Sequence, residues 1–144
     1  MKVMGICSAG GHLTELSQIK DIFNNFFIVS AKRDDTEGIA KYRLGDPETS
    51  KIRYIPLFFK QLFIFLKERP NLIISTGAGF TLPMLFIGKL FRRKIIFIES
   101  FCMPFELSKT GKIVYKYNLA NKFLVQWGDL IEKYPKAEYW GRVL

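Results

Sequence analysis

The residues best suited to chemistry lie near the amino terminus, in the stretch "CSAGGHLTEL", which holds the only histidine of the chain, His12. Gly10 and Gly11 before it permit a tight turn with no side chain between the backbone and a ligand. The free amides of a helix that begins there favour an anion, and the helix dipole favours a neutral imidazole. Such an imidazole can act as a general base or bind a sugar hydroxyl. The alternative is an ordinary strand-to-helix turn with a packed histidine.

A second candidate, Glu99, directly follows the apolar run "KIIFI". Acids rarely end a buried strand without a partner, so Glu99 is a candidate acid/base or a ligand for substrate hydroxyls. The alternative is a buried carboxylate bonded to neighbouring loop amides. Glu15, one helical turn after His12, either orients the imidazole or interacts with the helix amino terminus. In "STGAGFTLP", Gly77 and Gly79 repeat the open backbone of the first loop.

These loops need a scaffold, and strand-like and helix-like segments alternate along the chain, which predicts a parallel sheet with crossover helices. The predicted strands cover residues 2–7, 26–31, 52–56, 72–75, 94–99 and 122–126. The predicted helices cover residues 12–24, 57–69, 81–91, 109–120 and 129–134, and the polar segment 32–50 is predicted to be a mobile loop. We therefore predict one Rossmann-like, doubly wound α/β domain over residues 1–144, with helices on both faces. Its ligand site is expected at the carboxyl ends of the strands.

Composition narrows the classes of function. The chain has 144 residues, a net charge of +9 and a pI near 9.6, so an anionic partner is expected: nucleic acid, a membrane face or a phosphorylated substrate. Two cysteines without metal-type spacing exclude a disulfide scaffold and a cysteine metal site. No Asp-x-Asp motif occurs, so we expect no catalytic metal and no cofactor. No apolar run approaches the ~20 residues of a membrane-spanning helix, so a soluble or membrane-surface protein is expected.

Phenylalanines surround nearly the whole circumference of the predicted helix "LFFKQLFIFLKER", and cations flank them. This mixture is typical of helices that lie in a membrane interface, although a partner-protein surface or a fully buried helix is the rival. The predicted membrane-contact residues are Phe58, Phe59, Lys60, Phe63 and Lys67. Other basic residues are candidates to reach an anionic lipid or a pyrophosphate, with a solvated face as the alternative for each. They are Arg92, Arg93, Lys94, Lys109, Lys112 and Lys116.

Six segments, in order, resemble the Alg14 family of oligosaccharide biosynthesis proteins: "SAGGHLTEL", "STGAGFTLP", "IFIESF", "LSKTGKIVYK", "FLVQW" and "YPKAEYWG". The resemblance spans essentially the whole chain. Bacterial members of the family include capsule and exopolysaccharide proteins that work beside a separate glycosyltransferase chain. The family is similar to the N-terminal half of GT-B glycosyltransferases such as MurG, in which that half holds the lipid-linked acceptor and the C-terminal half binds the nucleotide-sugar.

The resemblance implies a split enzyme, because no second half follows Val143 and Leu144 in the sequence. Eukaryotic members carry a membrane-spanning anchor that this sequence lacks, so a bacterial or archaeal origin is expected. His12 is the first candidate for the catalytic base and Glu99 the second. The segment 134–141 is expected where the chain turns toward its partner. The expected substrate-binding residues, at the family's loop and strand-exit positions, are Ser8, Gly10, Gly11, Glu15, Thr76, Gly77, Ser100, Ser108, Thr110, Gly111, Gln126 and Trp127.

The sequence therefore predicts the acceptor-side, membrane-associated subunit of a two-chain, UDP-sugar-dependent inverting glycosyltransferase. The acceptor would be a polyprenyl-pyrophosphate-linked saccharide at the cytoplasmic face of a membrane, and the chain alone would be nearly inactive. N-acetylglucosamine and galactose both remain open as the transferred sugar. One alternative is a free-standing nucleotide-binding protein, against which the missing Gly-x-Gly-x-x-Gly fingerprint counts. Another is a basic nucleic-acid-binding domain, but the aromatics fall within apolar runs rather than on a polar sheet.

Overall fold

Short apolar strands, each followed by a loop or a helix, assemble into one parallel sheet. The computed structural model describes residues 1–143. Within these residues, strands β1 to β7 span Val3–Cys7, Phe26–Ala31, Tyr42–Leu44, Leu72–Gly77, Lys94–Ile98, Lys122–Val125 and Glu138–Tyr139. Helices α1 to α5 span Gly11–Ile19, Tyr54–Glu68, Leu82–Leu90, Lys109–Lys116 and Leu130–Lys133.

The strand order is β3-β2-β1-β4-β5-β6-β7, and every neighbouring pair is parallel. The chain runs outward from β1 to β3 on one side, crosses back to β4, and then runs outward to β7 on the other side. This reversal creates a topological switch point between β1 and β4, where open α/β sheets bind ligands. The prediction of a Rossmann-like, doubly wound sheet is confirmed.

Helices cover both faces of the sheet. Leu13 and Leu16 of α1 pack with β1 residues such as Val3 on one face. Residues from α2 to α5 pack with alternate strand residues such as Met4 on the other face. The strands alternate in this way because successive side chains point to opposite sides of a sheet.

The prediction of a strand at residues 52–56 is wrong, because this segment enters α2. The short alternation of apolar and polar residues in "KIRYIP" is compatible with a strand but is too short to decide. The side chains of α2 that face the core recur at three- and four-residue spacing, which is the helical period. They are Leu57, Gln61, Ile64, Phe65 and Glu68. The missing strand is β3, inside the segment predicted to be a mobile loop. It is a three-residue edge strand of mixed composition, and short polar edge strands carry little sequence signal.

Other boundaries differ by a few residues. Helix α1 gives way to a 3-10 turn at Lys20–Ile22, and α4 ends four residues before its predicted end. Strand β7 was not predicted, because two residues are too few for a periodic pattern. No helix within residues 1–143 is long and apolar enough to cross a bilayer.

Candidate functional site

The loops that follow β1, β4, β5 and β6 meet at one edge of the sheet. These four strands are adjacent in the order β1-β4-β5-β6, and all run in the same direction, so their carboxyl ends are neighbours. The loops carry most of the residues predicted to bind substrate. The structure thus brings the predicted loops together at the switch point.

His12 lies in the first turn of α1 and is tied to the end of β4 by two hydrogen bonds. Its Nδ1 lies 2.8 Å from the carbonyl oxygen of Thr76, and the buried Thr76 hydroxyl donates to the His12 carbonyl oxygen at 2.7 Å. Because a carbonyl oxygen only accepts, we assign the proton of the neutral ring to Nδ1 and the lone pair to Nε2. Nε2 has no hydrogen-bond partner within residues 1–143. The hydrogen bond therefore fixes the ring and leaves Nε2 available to accept a proton, while the base role of His12 stays a prediction.

Two glycines keep the surroundings of His12 open. Gly77 has a φ of +114°, and a Cβ at this position would lie 3.2 Å from Cε1 and 3.3 Å from Nδ1 of the imidazole. A larger residue there would strain the backbone and press on the ring. Gly10 has a φ of +82°, and its amide donates to the carboxylate of Asp35 at 2.8 Å. The Gly10 amide is therefore already engaged by a carboxylate of the chain, and anion binding at this turn stays a prediction.

The carboxylate of Glu99 is 1% exposed and engaged on both oxygens. Oε1 accepts from the amide of Ser100 at 2.9 Å and Oε2 from the amide of Ser108 at 3.0 Å. The Ser108 hydroxyl lies within 3.0 Å of both oxygens. Burial raises the pKa of Glu99, while these hydrogen bonds and the nearby His12 oppose the rise. The contacts match the alternative of a carboxylate bonded to loop amides, so Glu99 fixes the loop before α4; its base role stays a prediction.

The start of α4 is built around this carboxylate. The Ser108 hydroxyl caps the helix by accepting from the amide of Gly111 at 3.0 Å. A Cβ at Gly111 would overlap Oε2 of Glu99, so only glycine fits there without a shift. Thr110 is buried in the same turn.

Glu15 and Gln126 connect α1 with the loops after β5 and β6. Glu15 is buried, and its Oε1 accepts from the amide of Phe101 at 2.8 Å and from Nε2 of Gln126 at 3.3 Å. The same nitrogen of Gln126 donates to the carbonyl oxygen of Glu99 at 3.0 Å. The two predicted contacts of Glu15, with His12 and with the helix amino terminus, are not among its hydrogen bonds. Its Oε2 is buried without a partner in the described part of the chain.

Trp127 follows β6 and lies at the same edge of the sheet, beside a cavity. Its Nε1 donates to the carbonyl oxygen of Phe101 at 2.7 Å, and the two rings lie 5.0 Å apart. The guanidinium of Arg142 lies 4.3 Å from the centre of the Trp127 ring. Trp127 and Arg142 also line an open cavity of about 640 Å³, together with the exposed Phe105.

Ser8 and Ser100 are the remaining predicted substrate-binding residues, and Lys112 is one of the basic residues considered for an anionic lipid or a pyrophosphate. Ser8 and Ser100 lie at the same edge, where Ser8 Oγ donates to the carbonyl of Ala9 and Ser100 Oγ accepts from the amide of Cys102. Lys112, in contrast, forms an ion pair with Glu106 on the surface. No group of three or more potential metal ligands occurs within residues 1–143.

The predicted membrane-contact residues lie on α2. Phe59 and Phe63 are 61% and 67% exposed, one helical turn apart on the same face. Lys60 and Lys67 are also exposed. Phe58 differs, because it is half-buried against the core. The outward face of α2 is therefore apolar with basic neighbours.

Sequence reasoning missed Asp35 and Arg142. Asp35 lies in the segment predicted to be a mobile loop, where buried Thr36 holds a 3-10 turn by donating to the carbonyl of Arg33 at 2.7 Å. The Asp-Asp-Thr sequence was a usable signal for this turn. Arg142 had no signal, because its contact with Trp127 depends on where the chain returns after β7.

The sequence of this chain is similar to that of a known protein family. Residues 44–143 match the family model described as "Oligosaccharide biosynthesis protein Alg14 like". The chain belongs to the Alg14 family. The mouse UDP-N-acetylglucosamine transferase subunit ALG14 is 35% identical over 130 residues, which cover 79% of this chain and 59% of that protein. The human protein of the same name is 39% identical over 84 residues, which cover 54% of this chain and 38% of that protein.

Solved structures share the fold of this Alg14-family chain. A UDP-N-acetylglucosamine 2-epimerase from Rickettsia bellii superposes with a TM-score of 0.76 at 16% identity, over 99% of this chain and 45% of that one. MurG from Acinetobacter baumannii superposes with a TM-score of 0.70 at 10% identity, over 87% of this chain and 41% of that one. The chain thus corresponds to less than half of each of these proteins. The capsule and exopolysaccharide context stays a prediction, since the relatives above are mammalian.

Proposed function

We propose that this chain is the acceptor-side, membrane-associated subunit of a two-chain, UDP-sugar-dependent inverting glycosyltransferase. Its acceptor is a polyprenyl-pyrophosphate-linked saccharide at the cytoplasmic face of a membrane, and the nucleotide-sugar is held mainly by the second chain. Membership in the Alg14 family supports the proposal, since the mouse and human relatives are named as transferase subunits. UDP-N-acetylglucosamine is the first donor to test, because it appears in those names.

The observation that carries the chemical part of the proposal is the pairing of His12 with Thr76. A neutral imidazole with its proton fixed on Nδ1 leaves Nε2 as a proton acceptor at the open edge of the sheet. In an inverting transfer, the acceptor hydroxyl oxygen bonds to the anomeric carbon while the bond from that carbon to the UDP oxygen breaks. The hydroxyl proton passes to Nε2 of His12, and the electron pair of the broken bond leaves with UDP.

The remaining site residues position this base and the acceptor. Glu99 holds the loop before α4 through amide hydrogen bonds, and Gly77 leaves room for the imidazole. The amides of the first turn of α1, which follow Gly10, are suited to the pyrophosphate of the acceptor. We assign no step to a metal ion, and the expectation of a metal-independent reaction remains part of the proposal.

Exposed aromatic residues at the carboxyl edge support the need for a second chain. Phe105 and Trp140 are 86% and 64% exposed, and Tyr139 is also exposed. Aromatic residues are enriched at protein interfaces, and this edge is where a donor-binding half would complete the cleft. The outward face of α2 supports the membrane association.

The proposal is tested by expressing this chain, a nucleotide-sugar-binding glycosyltransferase chain encoded beside it, and both together. Membranes from each strain are assayed for transfer from a UDP-sugar to a lipid-linked acceptor. Transfer that requires both chains supports the proposal. Activity of this chain alone, or full activity of the second chain alone, contradicts it.

A variant of the base sharpens the test. In the reconstituted pair, His12→Asn keeps a side-chain donor for the carbonyl of Thr76 but removes the base, so we expect transfer to fall about 10²- to 10⁴-fold. Gln18→Ala, at an exposed position of the same helix, is the matched control and should be neutral. Co-purification of the two chains should be unchanged in both variants. Wild-type transfer by His12→Asn would rule out a base role.

A further inference from the structure

A basic cavity lies at the amino-terminal edge of the sheet, opposite the candidate site. It measures about 470 Å³ and lies between the end of α3 and the turn after α4. Four of its lining residues are cationic and none is acidic: Lys89, Arg92, Arg93 and Lys94. No acidic side chain lines the cavity, so its potential is positive and favours an anion.

Two of these cations have defined positions. Lys89 Nζ donates to the carbonyl oxygens of Tyr117 and Asn118 at 3.0 and 2.8 Å, which fastens the turn after α4 as one wall of the cavity. The guanidinium of Arg93 lies 5.7 Å from the ring of Phe65. Arg93 Nε is buried and has no hydrogen-bond partner within residues 1–143. A buried N–H without an acceptor is costly, and an oxygen of a bound anion would supply one.

Exposed apolar residues of α3 and its end are close in sequence to the cationic residues that line the cavity. Leu90 is 66% exposed, and Phe86 and Phe91 are also exposed. Leu90 and Phe91 lie between Lys89 and Arg92 in the sequence, so exposed apolar and cationic groups are neighbours within one turn. Helix α2 packs against α3, and the ring of Phe91 lies 5.0 Å from that of Phe65 in α2. A soluble anion would not need such an apolar surround, whereas a lipid combines acyl chains with a charged headgroup.

We propose that this cavity binds the phosphate group of an anionic phospholipid while Leu90, Phe91 and the outward face of α2 contact the acyl region. The cavity then forms a second attachment point, at the opposite end of the strands from the acceptor site. Two separated contacts fix the rotation of the domain on the membrane and so present the carboxyl edge to a lipid-linked acceptor. This inference rests on the proposed membrane association, and the two are separable by experiment.

The test is sedimentation of the purified chain with phosphatidylcholine vesicles and with vesicles containing 30% phosphatidylglycerol, at fixed ionic strength. We expect stronger binding to the anionic vesicles. The double variant Arg92→Asn/Lys94→Gln should lose that preference about 25-fold, because each cation near an anionic surface contributes roughly fivefold. Asparagine suits position 92, where the backbone φ is +57°, so lost stability will not account for the effect.

The control is the double variant Lys20→Gln/Lys32→Gln, which removes the same charge from exposed positions outside the cavity. Equal losses in both double variants would overturn the cavity as a site and leave only general attraction by net charge. Equal binding of the wild-type chain to both vesicles would also overturn it, with the membrane association intact. Binding to neither vesicle would contradict both the inference and the membrane part of the proposed function.

A soluble-anion arm separates the two sources of a phosphate group. Inorganic phosphate and glycerol 3-phosphate are titrated into the chain by calorimetry, and into the anionic-vesicle assay as competitors. We expect weak or undetectable binding and no competition at millimolar concentration. Tight binding of soluble phosphate that is lost in Arg92→Asn/Lys94→Gln, together with unchanged vesicle binding, would overturn the lipid assignment.

Discussion

Glu68, at the end of α2, joins three elements at the amino-terminal edge of the sheet and makes folding stability depend on pH. Its Oε2 pairs with Lys2 Nζ at 2.8 Å, and its Oε1 pairs with Lys41 Nζ at 2.7 Å. The Tyr42 hydroxyl donates to Oε1 at 2.6 Å. These contacts, led by the one with Lys2, lower the pKa of Glu68 from 4.5 to about 2. The same hydrogen bond raises the pKa of Tyr42 to about 12.

The magnitude follows from the change in proton affinity. A carboxyl pKa that falls from 4.5 to about 2 corresponds to at most ~3.4 kcal/mol, at ~1.36 kcal/mol for each factor of ten. The side chains of Lys2 and Lys41 are 34% and 53% exposed, so solvent screening reduces this to about 1–2 kcal/mol. Because the folded-state pKa lies below the unfolded value, the stabilisation is present above pH ~4.5 and is lost as the pH falls toward 2.

The assay is urea unfolding of wild type and Glu68→Gln at pH 7 and at pH 3. At pH 7, we expect the variant to lose about 1–2 kcal/mol of unfolding free energy. At pH 3, the difference should fall to less than half of that, because the pH is then below the unfolded-state pKa of 4.5 and only part of the stabilisation remains. Glu132→Gln, at an exposed position of α5, is the control and should be neutral at both pH values. An equal deficit at pH 7 and pH 3 would refute the electrostatic reasoning.

Three further predictions follow from single positions. Gly77→Ala should reduce transfer by the reconstituted pair at least tenfold, because its Cβ would lie 3.2 Å from the imidazole of His12; a fully active variant would show that the ring tolerates displacement. Phe63→Ser should weaken vesicle binding about tenfold and leave the Tm unchanged, since the side chain is 67% exposed; a lowered Tm would place it in the core instead. Burial raises the pKa of Cys7 to about 12, whereas Cys102 is exposed, so a thiol reagent at pH 8 should label one cysteine in the folded chain; two labelled sites would contradict the burial.

The sequence was sufficient for the sheet core and for the convergence of the candidate loops at one edge of the sheet. Strands such as β4 and β5 are apolar and bounded by glycine or charged residues, and parallel strands bring their carboxyl ends together without further information. The glycine turn and His12 are adjacent in sequence, so their joint position at the edge followed from the helix that begins there.

The rest depended on contacts between residues far apart in sequence. The proton position on His12 depends on the carbonyl of Thr76, 64 residues away. Glu15 bonds to Phe101 and Gln126 rather than to the nearby imidazole, which no local pattern can indicate. Strand β3 was missed because three residues in a polar segment are too few for a periodic pattern, although Tyr42 and Leu44 pack against the core.

The most direct test of the central claim is to measure which substrate this chain binds without its partner. The purified chain, in detergent micelles, is titrated with a polyprenyl-pyrophosphate-linked saccharide and separately with UDP-N-acetylglucosamine. The account predicts saturable binding of the lipid-linked acceptor and no comparable binding of the UDP-sugar. Tight binding of the UDP-sugar with none of the acceptor would contradict the acceptor-side assignment and indicate a free-standing nucleotide-binding protein.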